Sequence, residues 1–224
     1  SREPVLRALA ASGGEASALH NNCSGKHAGF ICLAVHEGDD PKGYIQPDHP
    51  VMRRVSAALG EMTGFDLAKT ARGTDGCSIP TFAIPLRNLA IGFARFGTGQ
   101  GLAPDRAKAA ARIRAAVAAA PFFVAGTDRF DTDVMGALGA RAFTKTGAEG
   151  VYCAALPEAG LGIALKIDDG AGRGAEVVMA NLIARFLPLS DAEAGVVAAR
   201  LDRQITNWNG IETGRMRVAA ALSA

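Results

Sequence analysis

The sequence predicts an α+β fold, with helices flanking a small antiparallel sheet. Apolar residues recur at helical spacing, with readable caps, through much of the first 138 residues, and the same pattern returns from 176. Between them, at 141–145, 151–156 and 161–167, three short apolar runs alternate with Gly-rich turns. These runs lie too close together to need helical crossovers, so they are expected to pair as an antiparallel meander rather than as a doubly wound sheet.

Taken in order, residues 5–10 read as a short helix closed by Gly13 and Gly14. Residues 20–26 (HNNCSGK) are polar and turn-prone. The apolar run 27–36 then has helical spacing, with Ser24-Gly25 as its start. A further helix is capped by Asp48 or His49, carries Pro50 in its first turn and ends at Gly64; Val51, Val55, Ala58, Leu59 and Met62 form its apolar stripe. Residues 72–85 hold two Gly and two Pro and cannot form a long regular element. Helices are expected at 86–96, at 105–120 (nine alanines in its last fourteen residues) and at 127–138, started by Thr127 or Asp128. After the meander, Asp168-Asp169-Gly170 reads as a hairpin turn, 176–187 and 191–201 as amphipathic helices, and 216–222 as a returning strand. Neither a repeat nor a linker is visible, so 1–224 reads as part of a single unit.

Composition narrows the function. The chain has 224 residues, 24 Lys+Arg against 22 Asp+Glu, and 49% hydrophobic residues. Such balanced, scattered charge excludes a protein that wraps a polyanion and gives no support to nucleic-acid binding. No apolar run approaches the roughly 20 residues of a membrane span. Four cysteines, at 23, 32, 77 and 153, are too few and dispersed for a disulfide framework, which favours a reducing, cytoplasmic setting with free thiols or a metal site. The opening Ser1-Arg2-Glu3-Pro4 has neither an initiator Met nor a signal segment and reads as the interior of a longer chain. No phosphate-binding Gly motif is present.

Three constellations could carry chemistry. In Asn21-Asn22-Cys23-Ser24-Gly25-Lys26-His27, a cysteine at a helix entrance has Lys26 and His27 three and four residues on, where they come back to its face. A thiol so placed is a nucleophile or a metal ligand. The same residues also suit an ordinary turn in which Asn22 or Ser24 caps and Lys26 faces solvent. In Gly73-Thr74-Asp75-Gly76-Cys77-Ser78, the flanking glycines let backbone approach a ligand, Asp75 suits an ammonium group and Cys77 adds a soft donor; an Asp-Gly turn is the plainer alternative. Lys145-Thr146-Gly147 ends an expected strand, as in serine acyl-transfer enzymes, yet none of the eight serines is followed by Lys at the third position, and an ordinary strand-to-turn lysine is an equal alternative. Cys32 and Cys153 fall in apolar runs and are expected in the core.

Together, HNNCSGKHAGF, PDHP, GTDGCSIPTFAIPL, AGTDRFDTDVM and FTKTGAEGVY, in that order over positions 20 to 152, resemble the bacterial L-asparaginase II family of Rhizobium-type, zinc-containing asparaginases. The resemblance implies a fold similar to serine β-lactamases and glutaminases, and hydrolysis of L-asparagine to L-aspartate and ammonia through a serine acyl-enzyme. It implies that Cys23, Lys26 and Cys77 hold one zinc ion, that His27 and Asp75 line the substrate pocket, with Asp75 meeting the α-ammonium group, and that Lys145 is the general base. The family's catalytic serines and its S-x-x-K lie ahead of the Cys-Ser-Gly-Lys-His block. The chain is therefore expected to be the C-terminal two-thirds of such an enzyme and inactive alone. Asp131 stands where the Rhizobium-type enzyme carries a cysteine, which the chemistry does not require; any consequence would fall on metal affinity or substrate contacts. A cysteine hydrolase using Cys23 and His27, or a non-catalytic zinc-stapled domain that binds an amino acid, are the alternatives. A homodimer through the alanine-rich helix is a further possibility.

Overall fold

The computed structural model describes residues 2–223, with side chains from 5 to 222. It divides into two compact units, Ser1–Ile84 and Pro85–Ala224.

In the first unit, α1 (Arg2–Ala11) is followed by α2 (Ser24–Glu37) and α3 (Pro50–Thr63), then by a hairpin of β1 (Arg72–Thr74) and β2 (Pro80–Phe82). The start of α3 follows the expected pattern: Pro50 needs no hydrogen-bond partner in the first turn, and His49 Nδ1 accepts the Val51 N–H at 3.2 Å. Gly64 ends it in the left-handed conformation. The core is small. Ala34, Val51 and Met52 are buried, with Phe30, Leu33, Val55 and Ile79 packed around them. Arg54 ties the two helices together through Glu37 at 2.8 Å and Asp39 at 2.7 Å. Cys32 is exposed rather than in the core: α2 buries Phe30, Leu33 and Ala34, and a residue two positions from Phe30 lies on the far side of the helix.

The second unit runs α4 (Leu86–Thr98), α5 (Pro104–Ala119), α6 (Phe122–Ala125) and α7 (Phe130–Leu138) into the meander of β3 (Phe143–Thr146), β4 (Val151–Leu156) and β5 (Leu161–Lys166). It closes with α8 (Gly172–Phe186), α9 (Asp191–Leu201), a second hairpin of β6 (Asp202–Thr206) and β7 (Glu212–Arg217), and α10 (Ala220–Ser223). The meander pairs in the order β3-β4-β5, antiparallel throughout, as the sequence predicts. Its two faces differ in residue size. Tyr152, Ala154, Leu156, Ile163 and Leu165 form the main core with Phe130 and Val134 of α7 and Met179 and Ile183 of α8. The other face is small, and there α4 packs so closely that a Cβ at Gly162 would stand 1.9 Å from the Ala90 carbonyl oxygen. Cys153 is buried as expected. The alanine-rich α5 packs against α4 within this unit.

Three further expectations are corrected. The helix expected from Thr127 or Asp128 begins at Phe130, because Asp128 is in a positive-φ turn (φ 56°). The strand expected at 216–222 is instead the end of β7 followed by α10. Asp168-Asp169-Gly170 joins β5 to α8 rather than two strands, with Asp169 Oδ1 accepting the Ala171 N–H at 2.8 Å.

Arg141 locks the far edge of this unit, donating to Glu158 at 3.0 Å, to Glu193 at 2.6 Å and to the Pro188 carbonyl at 2.7 Å. Glu193 also closes the capping box of α9 with Ser190. The Arg141 guanidinium and the Ser190 donors hold the Glu193 carboxyl down at about 2, from an ordinary 4.5. Its stabilising contribution is therefore complete above about 4.5 and is lost as the pH falls through 2. Urea midpoints measured down that range should fall less steeply in Glu193→Gln than in the parent.

Candidate functional site

The N-terminus of α2 and the turn between β1 and β2 meet in the first unit. Cys23 occupies the N-cap position of α2 without capping through its side chain, and its N–H is held by Asn21 Oδ1 at 2.7 Å. Lys26, in the first helical turn, donates to Cys77 Sγ at 3.2 Å across 51 residues of sequence. The hairpin turn is built on Asp75, whose Oδ2 accepts the Cys77 N–H at 3.1 Å and whose carbonyl accepts the Ser78 N–H at 2.8 Å. Ser78 completes it at φ 77°, a conformation costly for a residue with a Cβ.

The charges support one another. Partial burial of the Lys26 ammonium works to lower it. The hydrogen bond to Cys77 and the nearby Cys77, Cys23 and Asp75 outweigh that, so it is held above the ordinary lysine range. The Asp75 carboxyl is held below its usual range by the Cys77 thiol and backbone N–H, with help from Lys26. Burial and the adjacent Asp75 push the Cys77 thiol up. Four of the expected site residues, Cys23, Lys26, Asp75 and Cys77, are thus brought together.

His27 lies on the same helix but turns to different partners. Its Nδ1 shares a hydrogen bond of 2.6 Å with the Tyr44 hydroxyl, and its ring packs edge-on against Tyr44 and Phe30. Nε2 is buried without a hydrogen-bond partner among the described residues. The Cys23–His27 dyad that a cysteine hydrolase needs is therefore not formed, since neither ring nitrogen bonds to the thiol. Tyr44 is a neighbour that nothing in the sequence picks out. A polar cleft of about 470 Å³ opens beside the hairpin, lined in part by Gln46, Arg72, Thr74 and Ser78.

Among the described residues, no group of three or more His, Cys, Asp or Glu side chains could hold a metal ion. A metal here would need the Lys26 nitrogen as a donor beside the sulfurs of Cys23 and Cys77. As a donor set, two thiolates and an amine suit zinc, provided that all three lose their protons.

In the second unit, Lys145 is exposed on β3 and donates to the Thr146 carbonyl at 2.5 Å. Behind it lies a residue whose part the sequence conceals. Asp131 is 1% exposed and accepts the Thr144 hydroxyl at 2.7 Å, the Tyr152 hydroxyl at 2.5 Å and the Thr146 N–H at 3.2 Å.

The L-asparaginase II family model matches residues 1–218, nearly the whole chain. The chain belongs to the L-asparaginase II family. Membership places it with the asparagine amidohydrolases, whose substrate is a small molecule. No curated protein matches it. No helix among the described residues is long and apolar enough to cross a membrane.

Proposed function

We propose that this L-asparaginase II chain serves hydrolysis of L-asparagine to L-aspartate and ammonia through a serine acyl-enzyme. In that reaction a serine hydroxyl attacks the side-chain amide carbon while Lys145 Nζ takes its proton. The C–N bond then breaks, and ammonia departs carrying a proton returned by the base. Water attacks the remaining ester to release aspartate. Asp75, ionised through its Cys77 contacts, would receive the α-ammonium group of asparagine. His27, its ring fixed by Tyr44, would line the pocket. Cys23, Lys26 and Cys77 would hold one zinc ion, which when bound supplies a fixed positive charge and a Lewis-acid centre.

The observation that carries this reading is the convergence on Lys26 of Cys77, Cys23 and Asp75, from two segments 51 residues apart. None of the eight serines is followed by lysine at the third position, so no serine of the chain is assigned the attack. Ammonia release from L-asparagine, with L-glutamine alongside, tests the proposal. A preparation of these 224 residues, verified by mass, should release none, while a longer form that includes an S-x-x-K serine should turn over. Turnover by the 224 residues alone would overturn the assignment of the nucleophile to another segment.

A further inference from the structure

Strand alternation places Thr144 and Thr146 on one face of β3 and Lys145 on the other. Asp131 lies beneath that first face and binds both neighbours of Lys145, the hydroxyl of one and the backbone N–H of the other. Its third partner, Tyr152, stands opposite Thr146 in the β3–β4 register, so the same carboxylate also joins the two strands at that rung. Thr144 and Tyr152 are buried with it. Burial first, and the Asp131 charge second, keep the Tyr152 phenol far above its ordinary range, so it remains a donor. The carbonyl that accepts from Lys145 Nζ belongs to Thr146, the residue whose N–H Asp131 holds.

We infer that Asp131 is a positioning residue for Lys145: one buried carboxylate holds the residues on both sides of the lysine, one by its hydroxyl and the other by its backbone N–H, and thereby fixes where the amine stands. The inference rests on the reading of Lys145 as the general base, and the three donors converging on one group call for a carboxylate. A thiol accepts hydrogen bonds only weakly and could not hold three donors as a carboxylate does. Base catalysis tolerates little misplacement, so a slack β3 should cost rate rather than affinity.

Two substitutions separate positioning from mere stabilisation. Asp131→Asn keeps an oxygen for Thr144 and Tyr152 but turns an NH2 group toward the Thr146 N–H, cutting the arm next to Lys145. Tyr152→Phe removes a different arm and leaves Thr146 held. In the 224-residue chain, acylation of Lys145 read by peptide mapping, with Lys166 on the same sheet as internal reference, should change severalfold in Asp131→Asn and stay unchanged in Tyr152→Phe. Equal change in both variants, or in neither, overturns the inference. In the longest form that turns over asparagine, Asp131→Asn should lower kcat at least about tenfold with KM within about twofold. A loss confined to KM, or a kcat unchanged while Lys145→Met is inactive, would also overturn it. Full activity of Lys145→Met would instead sink the general-base reading, leaving the acylation result to judge the positioning. Should Asp131→Asn not fold, Asp131→Cys, with a weak sulfur acceptor in the same place, takes its part in both measurements.

Discussion

Gly162→Ala is expected to be the most damaging single-methyl change in the second unit. The added Cβ would lie 1.9 Å from the Ala90 oxygen and 2.3 Å from the Ala94 nitrogen, both backbone atoms of α4. No rotamer change relieves such a clash, so either the helix lifts from the sheet or β5 leaves its register with β4. Either movement opens the small-residue face against which α4 rests. A loss of more than about 3 kcal/mol follows, a large share of the 5–15 kcal/mol that holds a typical domain together. The melting temperature should drop by roughly 10 °C. Gly97→Ala is the calibrating control: its Cβ would come no nearer than 3.0 Å to any atom, the Ala155 methyl, and a shift of a few tenths of an ångström accommodates it. Thermal unfolding followed by circular dichroism checks both, and equal stability of the two variants would contradict the close helix–sheet approach.

The second large effect is expected at Cys77. If Cys23, Lys26 and Cys77 hold zinc, the purified chain contains one zinc atom and Cys77→Ala contains none, as metal analysis would read directly. Cys32→Ala, whose thiol is exposed, should keep the metal in full. Chelation should lower the melting temperature of the parent, and zinc should restore it, while the Cys77→Ala variant responds to neither. In metal-free protein the variant loses the thiol's contacts with Lys26 and Asp75, about 1 kcal/mol each for exposed groups. Retention of zinc by Cys77→Ala would remove this residue from the ligand set.

What the sequence reveals and what it conceals divide along a physical line. The meander is legible because β4 and β5 are buried on both faces or nearly so, giving short apolar runs between turns. The β6–β7 hairpin is not, since every residue of β6 is exposed and its sequence, DRQIT, has no apolar face to betray a period. In the site, Cys23, Lys26, Asp75 and Cys77 stand out because reactive side chains cluster in turn-forming contexts. Asp131 stands out only through the family resemblance, because on its own an aspartate in the first turn of a helix reads as ordinary compensation of the helix dipole. Its burial comes from partners 13 to 21 residues further on, which no local pattern encodes.

The two units also differ in how their functional parts can change. Among the described residues of the first, only Ala34, Val51 and Met52 are fully buried apolar residues, and the Lys26–Cys77 contact joins a helix and a hairpin beside the packing of Ile79. A substitution there disturbs chemistry and architecture at once, so inherited variation at Cys77 or Asp75 should surface as poorly folded protein before it surfaces as altered specificity. Lys145 projects from a sheet whose core lies on the opposite face, and its replacement leaves the packing untouched. If Lys145 is the general base, inactive but folded descendants are therefore expected to arise by exchange at this one exposed position of β3, while the thiol–amine turn of the first unit is inherited whole or lost with its fold.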